Sequence, residues 1–167
     1  MMENSEFDAK NNKLHTKRLA RELAMQYLFS CDISAELPDV GKFESFYEEA
    51  LKDEHNLSDN RYSRKSKENA SELIVNVALN IDVIDEKIRE FAANWQWERI
   101  SVVERNILRI AVYEMLFAFD IPPIVSINEA VSIARDYSNE RSCNFINGIL
   151  NSIKDTLDRD ARTGVKK

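Results

Sequence analysis

Two clusters of side chains in this sequence have the types and spacing to touch a phosphate or a nucleobase. Lys17 and Arg18 lie four and three residues before Arg21, so in a helix the three share about 100° of arc. Arg offers paired donors to a phosphate, and Lys a mobile point charge. Lys13 and His15 extend the same stretch, and no acid falls between Lys10 and Arg21. The second cluster is Ser138-Asn139-Glu140-Arg141-Ser142-Cys143-Asn144, read as a loop leading into Phe145. Its Arg141 and Asn144 could bond a base or phosphate, and an exposed Phe145 ring could stack on an unpaired base. The pattern leaves plainer readings open: a solvated basic patch for the first cluster, and a core position for Phe145.

Catalytic chemistry finds no comparable cluster. The two histidines, His15 and His55, lie in no metal-ligand grouping, and Cys31 and Cys143 form neither a disulfide framework nor a close ligand pair. Phosphate loops, dinucleotide fingerprints, G-x-S-x-G and zinc-deaminase patterns are all missing. No enzyme, metal or cofactor is expected. The cysteines read as buried free thiols of a reducing cytosol. With a net charge of −6, polyanion contact must be local, because one short basic segment interrupts an acidic chain. The longest apolar run, residues 107–119, is broken by Arg109 and Glu114. Membrane insertion and secretion are not expected, and the cytoplasm is the expected location.

The elements that must position these groups are helical. Only three Gly and three Pro occur in 167 residues, which favours long helices with few connections. Ala20, Leu23, Ala24, Tyr27, Leu28 and Cys31 recur at helical spacing from about Thr16. Pro38 and Gly41 punctuate the following link, a short helix is expected over Phe43 to Lys52, and Asp53 to Lys65 has no convincing periodicity. One long pattern runs from about Ser66 to Ala93. Ser101-x-x-Glu104 reads as a capping box opening a helix to about Phe119, whose second half is apolar around most of its circumference, the mark of a central element. Pro122-Pro123 makes a rigid turn, and Ser126-x-x-Glu129 reads as a second capping box. Ser142 is the expected cap of the last helix, whose Phe145, Ile146, Ile149, Leu150, Ile153 and Leu157 share one arc.

Three residues break these patterns. Arg109 and Glu114 interrupt an apolar helix at a separation of five, so each must find a polar partner elsewhere or reach solvent. Gly148 inside a helix reads as close approach of another helix or as a stray unfavourable residue. No segment alternates like a strand. The expectation is all-α, with a flexible tail over 1–12, one helical domain over 13–157 and a charged tail over 158–167.

The segment Lys17-Arg18-Leu19-Ala20-Arg21-Glu22-Leu23-Ala24-Met25-Gln26-Tyr27-Leu28-Phe29 resembles the Arg-rich first helix of the bacterial NusB transcription antitermination family. Glu104 to Glu114 is similar to that family's central motif. Ile121-Pro122-Pro123, Ile127-Asn128-Glu129-Ala130-Val131 and Phe145-Ile146-Asn147-Gly148-Ile149-Leu150 follow in the family's order. The resemblance covers about residues 16–157, most poorly over about 32–68. It implies a NusB-like pair of packed helical bundles without catalytic activity. It further implies binding of boxA-type single-stranded RNA, pairing with the small-subunit ribosomal protein also called NusE, and assembly with other Nus factors and RNA polymerase to support ribosomal RNA transcription. By the same resemblance, Lys17, Arg18 and Arg21 fall in the family's basic patch and Phe145 at its aromatic RNA contact, with Lys13, Arg141 and Asn144 beside them. Asn144 stands where the family often has a basic residue, and Arg141 where it often has an acid. A helical protein-interaction module with little RNA affinity is the alternative.

Overall fold

The computed structural model describes residues 2–52 and 60–165, with side chains from His15 onward. These residues form seven α-helices and one 3-10 turn. They are α1 (Met2–Ser34), α2 (Val40–Lys52), α3 (Arg61–Leu79), α4 (Ile81–Phe91), a 3-10 turn (Trp97–Arg99), α5 (Val102–Phe117), α6 (Pro123–Tyr137) and α7 (Glu140–Lys154). No strand occurs among the described residues, as the missing alternation implied. The chain divides into two compact units, residues 1–75 and 76–167, with the boundary inside α3.

In the first unit, α1 buries Ala20, Leu23, Ala24, Tyr27, Leu28 and Cys31, the periodic set read from the sequence. It stops where Ala35 enters the left-handed region at φ 56°, while the Glu36 N–H returns to the Cys31 carbonyl at 3.0 Å. The helix is longer than its apolar pattern, beginning at Met2 rather than near Thr16. Asp39 starts α2 by accepting the Lys42 N–H at 2.9 Å. Phe43 packs edge-on against Tyr27 at 5.3 Å, and the Tyr27 hydroxyl donates to the Asp39 carbonyl at 2.8 Å. Residues 53–59, most of the stretch without periodicity, lie outside the described residues. From residue 60 the local chemistry is plain. The Asn60 carboxamide oxygen accepts the Tyr62 and Ser63 N–H groups at 2.8 and 3.1 Å and so begins α3. Ser66 ties α3 to α1 through the Thr16 carbonyl at 3.0 Å.

The second unit is built around α5, which packs on α4, α6 and α7. Every residue from Asn106 to Val112 is buried, as are Glu114 and Met115, so the all-round apolar pattern did mark a central helix. The Ser101–Glu104 capping box is present in both directions, at 3.2 and 2.9 Å. Arg109 and Glu114 each find a polar partner. Arg109 donates to the two Asp85 carboxylate oxygens of α4 at 2.7 and 2.8 Å, and Glu114 accepts the Ser126 hydroxyl of α6 at 2.7 Å.

Several boundaries differ from expectation. The pattern from Ser66 to Ala93 is two helices, α3 and α4, broken at Asn80, whose carboxamide turns back to the Asn76 carbonyl at 2.8 Å. Ser126 is not a cap: α6 begins three residues earlier with Pro123 in its first turn, where a missing N–H costs nothing. Ser142 is not the cap of α7 either. Asn139 takes that place, accepting the Ser142 N–H at 3.0 Å, which turns most of the supposed loop into helix. Gly148 faces open space, with nothing within 4 Å of a Cβ built there, so no helix approaches it. The C-terminal residues dock on the α5–α6 connection: Ile124 donates to the Ala161 carbonyl at 3.0 Å and Val165 to that of Phe119 at 2.8 Å. A Cβ on Gly164 would sit 2.2 Å from the Asp120 carbonyl oxygen, which is why only glycine fits there.

Candidate nucleic-acid interface

The basic cluster lies on α1, and its members differ in access. Lys17 and Arg18 are half-buried, but Arg21 is only 5% exposed. The Arg18 Nε donates to Glu22, one turn on, at 2.6 Å, and both side chains are 19% exposed. A phosphate approaching Arg18 therefore competes with a carboxylate already in place. The expected surface of three side chains thus narrows to Lys17 and part of Arg18. His15 is exposed, and the Lys13 side chain lies outside those described.

The second cluster is built by the start of α7. With Asn139 as cap, Arg141 and Asn144 stand exposed in the first turns instead of in a loop, while Ser142 and Cys143 turn inward. Phe145 is neither a core residue nor a free ring. The next residue, Ile146, is fully buried, whereas Phe145 is half-buried and meets the Trp95 indole edge-on, centroids 5.0 Å apart at 63°. The Arg141 guanidinium lies 5.7 Å from the Trp95 ring centre. The structure therefore joins Arg141, Asn144 and Phe145 in one patch on the second unit.

Sequence reasoning missed the other half of that patch. Trp95 sits in the connector between α4 and α5 and is 44% exposed, an unusual place for the largest apolar side chain. Its signal was Asn94-Trp95-Gln96-Trp97, two indoles in a short non-periodic segment. The second has a different role: Trp97 carries the guanidinium groups of Arg89 and Arg105 over its ring, at 4.1 and 5.0 Å from its centre. Trp95, Arg99, Ser101, Arg141 and Phe145 line a groove of about 940 Å³. Cys31 and Cys143 are both buried free thiols. Among the described residues no cluster of His, Cys, Asp and Glu could hold a metal ion, and no helix is long and apolar enough to cross a membrane.

An all-α chain with a central buried helix, cationic side chains and a half-exposed aromatic pair at one helix entrance has the equipment of a nucleic-acid-binding protein. Comparison with known proteins makes the class specific. The NusB family profile matches residues 18–155, and the chain belongs to the NusB family. The transcription antitermination protein NusB of Bacillus thuringiensis (strain Al Hakam) is 43% identical over 141 residues, spanning 84% of this chain and 98% of that protein. The Bacillus cereus (strain AH187) protein of the same name matches to the same extent. Among solved structures, T. maritima NusB has a TM-score of 0.68 at 36% identity, covering 86% of this chain and 93% of its own. A structure of the antitermination factors NusB and NusE in complex with dsRNA shares the fold, with a TM-score of 0.69 at 24% identity over 86% of this chain and 98% of that one.

Proposed function

We propose that this chain is a non-catalytic cytoplasmic antitermination factor. It recognises boxA-type single-stranded RNA together with the ribosomal protein NusE, and joins other Nus factors and RNA polymerase in supporting ribosomal RNA transcription. Family membership supports the antitermination role. The observation that carries the RNA reading is the half-exposed Phe145 ring, flanked by exposed Arg141 and Asn144 at the first turns of α7. An aromatic face accepts any unpaired base, and the flanking groups can fix its edge or its phosphate. A NusB of like fold has been seen with NusE and dsRNA, which supports NusE as the protein partner.

In this reading Lys17 and Arg18, with Lys13 upstream, position the phosphate backbone, while Phe145 supplies stacking. Arg21 contributes its charge from a buried position. The test is titration of a boxA-type oligoribonucleotide across salt concentrations, with and without folded NusE. Lys17→Ala with Arg18→Ala should weaken related RNAs by similar factors and lower the salt slope by about 1.4, or about 0.7 per lost phosphate contact on a single strand. Phe145→Ala, once thermal denaturation has shown it folded, should cost about 1–3 kcal/mol with little change in slope. NusE should tighten binding. A folded protein that pairs with NusE but binds no RNA, alone or paired, would establish the protein-interaction module instead.

A further inference from the structure

The groove beside Phe145 has more than one aromatic wall, and its far side comes from the α4–α5 connector. Trp95 exposes 44% of its surface there, and it meets the Phe145 ring edge-on at 5.0 Å. Burying this ring against the protein would have been favourable, so its exposure leaves a large apolar face available to a ligand. Arg99 is exposed on the groove, and neither it nor Arg141 pairs with a carboxylate among the described residues. The two helices that begin here, α5 and α7, add the positive ends of their dipoles. Glu104 is the acid that lines the groove, and its carboxylate is turned back to accept the Ser101 N–H at 2.9 Å. The groove therefore combines a flat aromatic face with net positive charge.

We propose that this groove holds one unpaired nucleobase of the bound RNA against the Trp95 indole, with Phe145 as its second wall and Arg99 on the adjoining phosphate. The proposal rests on the RNA reading above and adds Trp95 and Arg99 to it. Arg141, 5.7 Å from the indole centre, is too close for a base to enter between them without displacing it. By contrast, Arg89 holds Trp97 at 4.1 Å. The looser Arg141 contact gives way to the base and leaves that guanidinium free for a phosphate. Because stacking tolerates any base, the groove adds affinity and leaves sequence choice to contacts outside it.

The chain has two tryptophans, so Trp97→Phe leaves Trp95 as the sole indole reporter. Titrating this variant of the chain with a boxA-type oligoribonucleotide should quench its fluorescence saturably, with the midpoint found by filter binding. Trp95→Ala should weaken binding about 5- to 150-fold, the range for a lost base stack, while Trp95→Phe retains most of the affinity. Arg99→Gln should lower the salt slope by about 0.7. Suppose the wild-type chain binds RNA and responds to Phe145→Ala, but Trp95→Ala and Arg99→Gln bind normally and Trp95 fluorescence stays constant. The groove proposal then fails and the RNA reading stands. If the wild-type chain binds no RNA with or without NusE, both fail. Should Trp95→Ala not fold, the quenching in Trp97→Phe and the Arg99→Gln slope decide.

Discussion

Replacing Asp85 with Ala should destabilise the second unit more than any surface change nearby. The Asp85 carboxylate receives two parallel hydrogen bonds from Arg109, at 2.7 and 2.8 Å, and the side chains of Arg109 and Asp85 are only 9% and 11% exposed. Asn106 accepts a third guanidinium bond at 3.2 Å, but it is neutral and cannot replace the charge. Asp85→Ala therefore takes the bidentate carboxylate away from a buried cation, which costs about 3–5 kcal/mol. In a chain of this size that lowers the melting temperature by about 6–20 °C. Urea unfolding followed by circular dichroism should show a lower midpoint at an unchanged slope. The double variant Asp85→Leu/Arg109→Met, which removes both charges, should regain much of the loss, because a buried pair is worth far less than the penalty of breaking it. The pair also joins the two helices that flank the Trp95 connector, so amide exchange between residues 92 and 100 should accelerate in Asp85→Ala. A single variant costing less than about 1 kcal/mol, or a double variant whose loss equals the sum of the singles, would refute the reasoning.

Two backbone mismatches should reward correction: Gly148→Ala, exposed in mid-helix with no neighbour for its Cβ, should raise stability by about 1 kcal/mol, and Ala35→Gly at φ 56° by about 1–2 kcal/mol. Denaturant midpoints that fall instead would expose a missed contact. Gly164→Ala should force the C-terminal segment off the Asp120 carbonyl, and the amides of Val165 and Ile124 should then exchange faster; unchanged protection would show that the segment can shift and stay docked. Burial raises the Cys31 thiol and the Tyr27 hydroxyl above their ordinary values of 9.0 and 10.0. Since their folded values lie above the unfolded ones, the stability they contribute is intact below about pH 9 and lost as pH rises through the folded values. Stability should thus decline on the alkaline side, less steeply in Cys31→Ala, and a profile flat past pH 10 would contradict the assignment.

Local chemistry was legible in the sequence wherever a residue's fate depended on its own helix. Helical spacing gave the buried face of α1, the largely apolar circumference of α5 gave its central place, and Ser101 with Glu104 closed the capping box their spacing allows. That Arg109 and Glu114 must find polar partners or reach solvent followed from their place in an apolar helix. Which partners they take did not, because Asp85 and Ser126 come from α4 and α6. Competing local signals also needed the fold to arbitrate. Asn139 and Ser142 are both good caps three residues apart, and only the entry path of α7 selects Asn139. Asn80 splits a continuous apolar pattern without a Pro or Gly to announce it. The candidate site depended most on tertiary packing. Lys17, Arg18 and Arg21 share one arc, yet Arg21 is buried, because a helical wheel shows what neighbours what along a helix and not what covers it. Phe145 could be placed between core and surface only once Trp95, 50 residues earlier in the chain, was seen against its edge. A sequence determines such a pair only through the whole fold, since contacts this distant have no period to betray them.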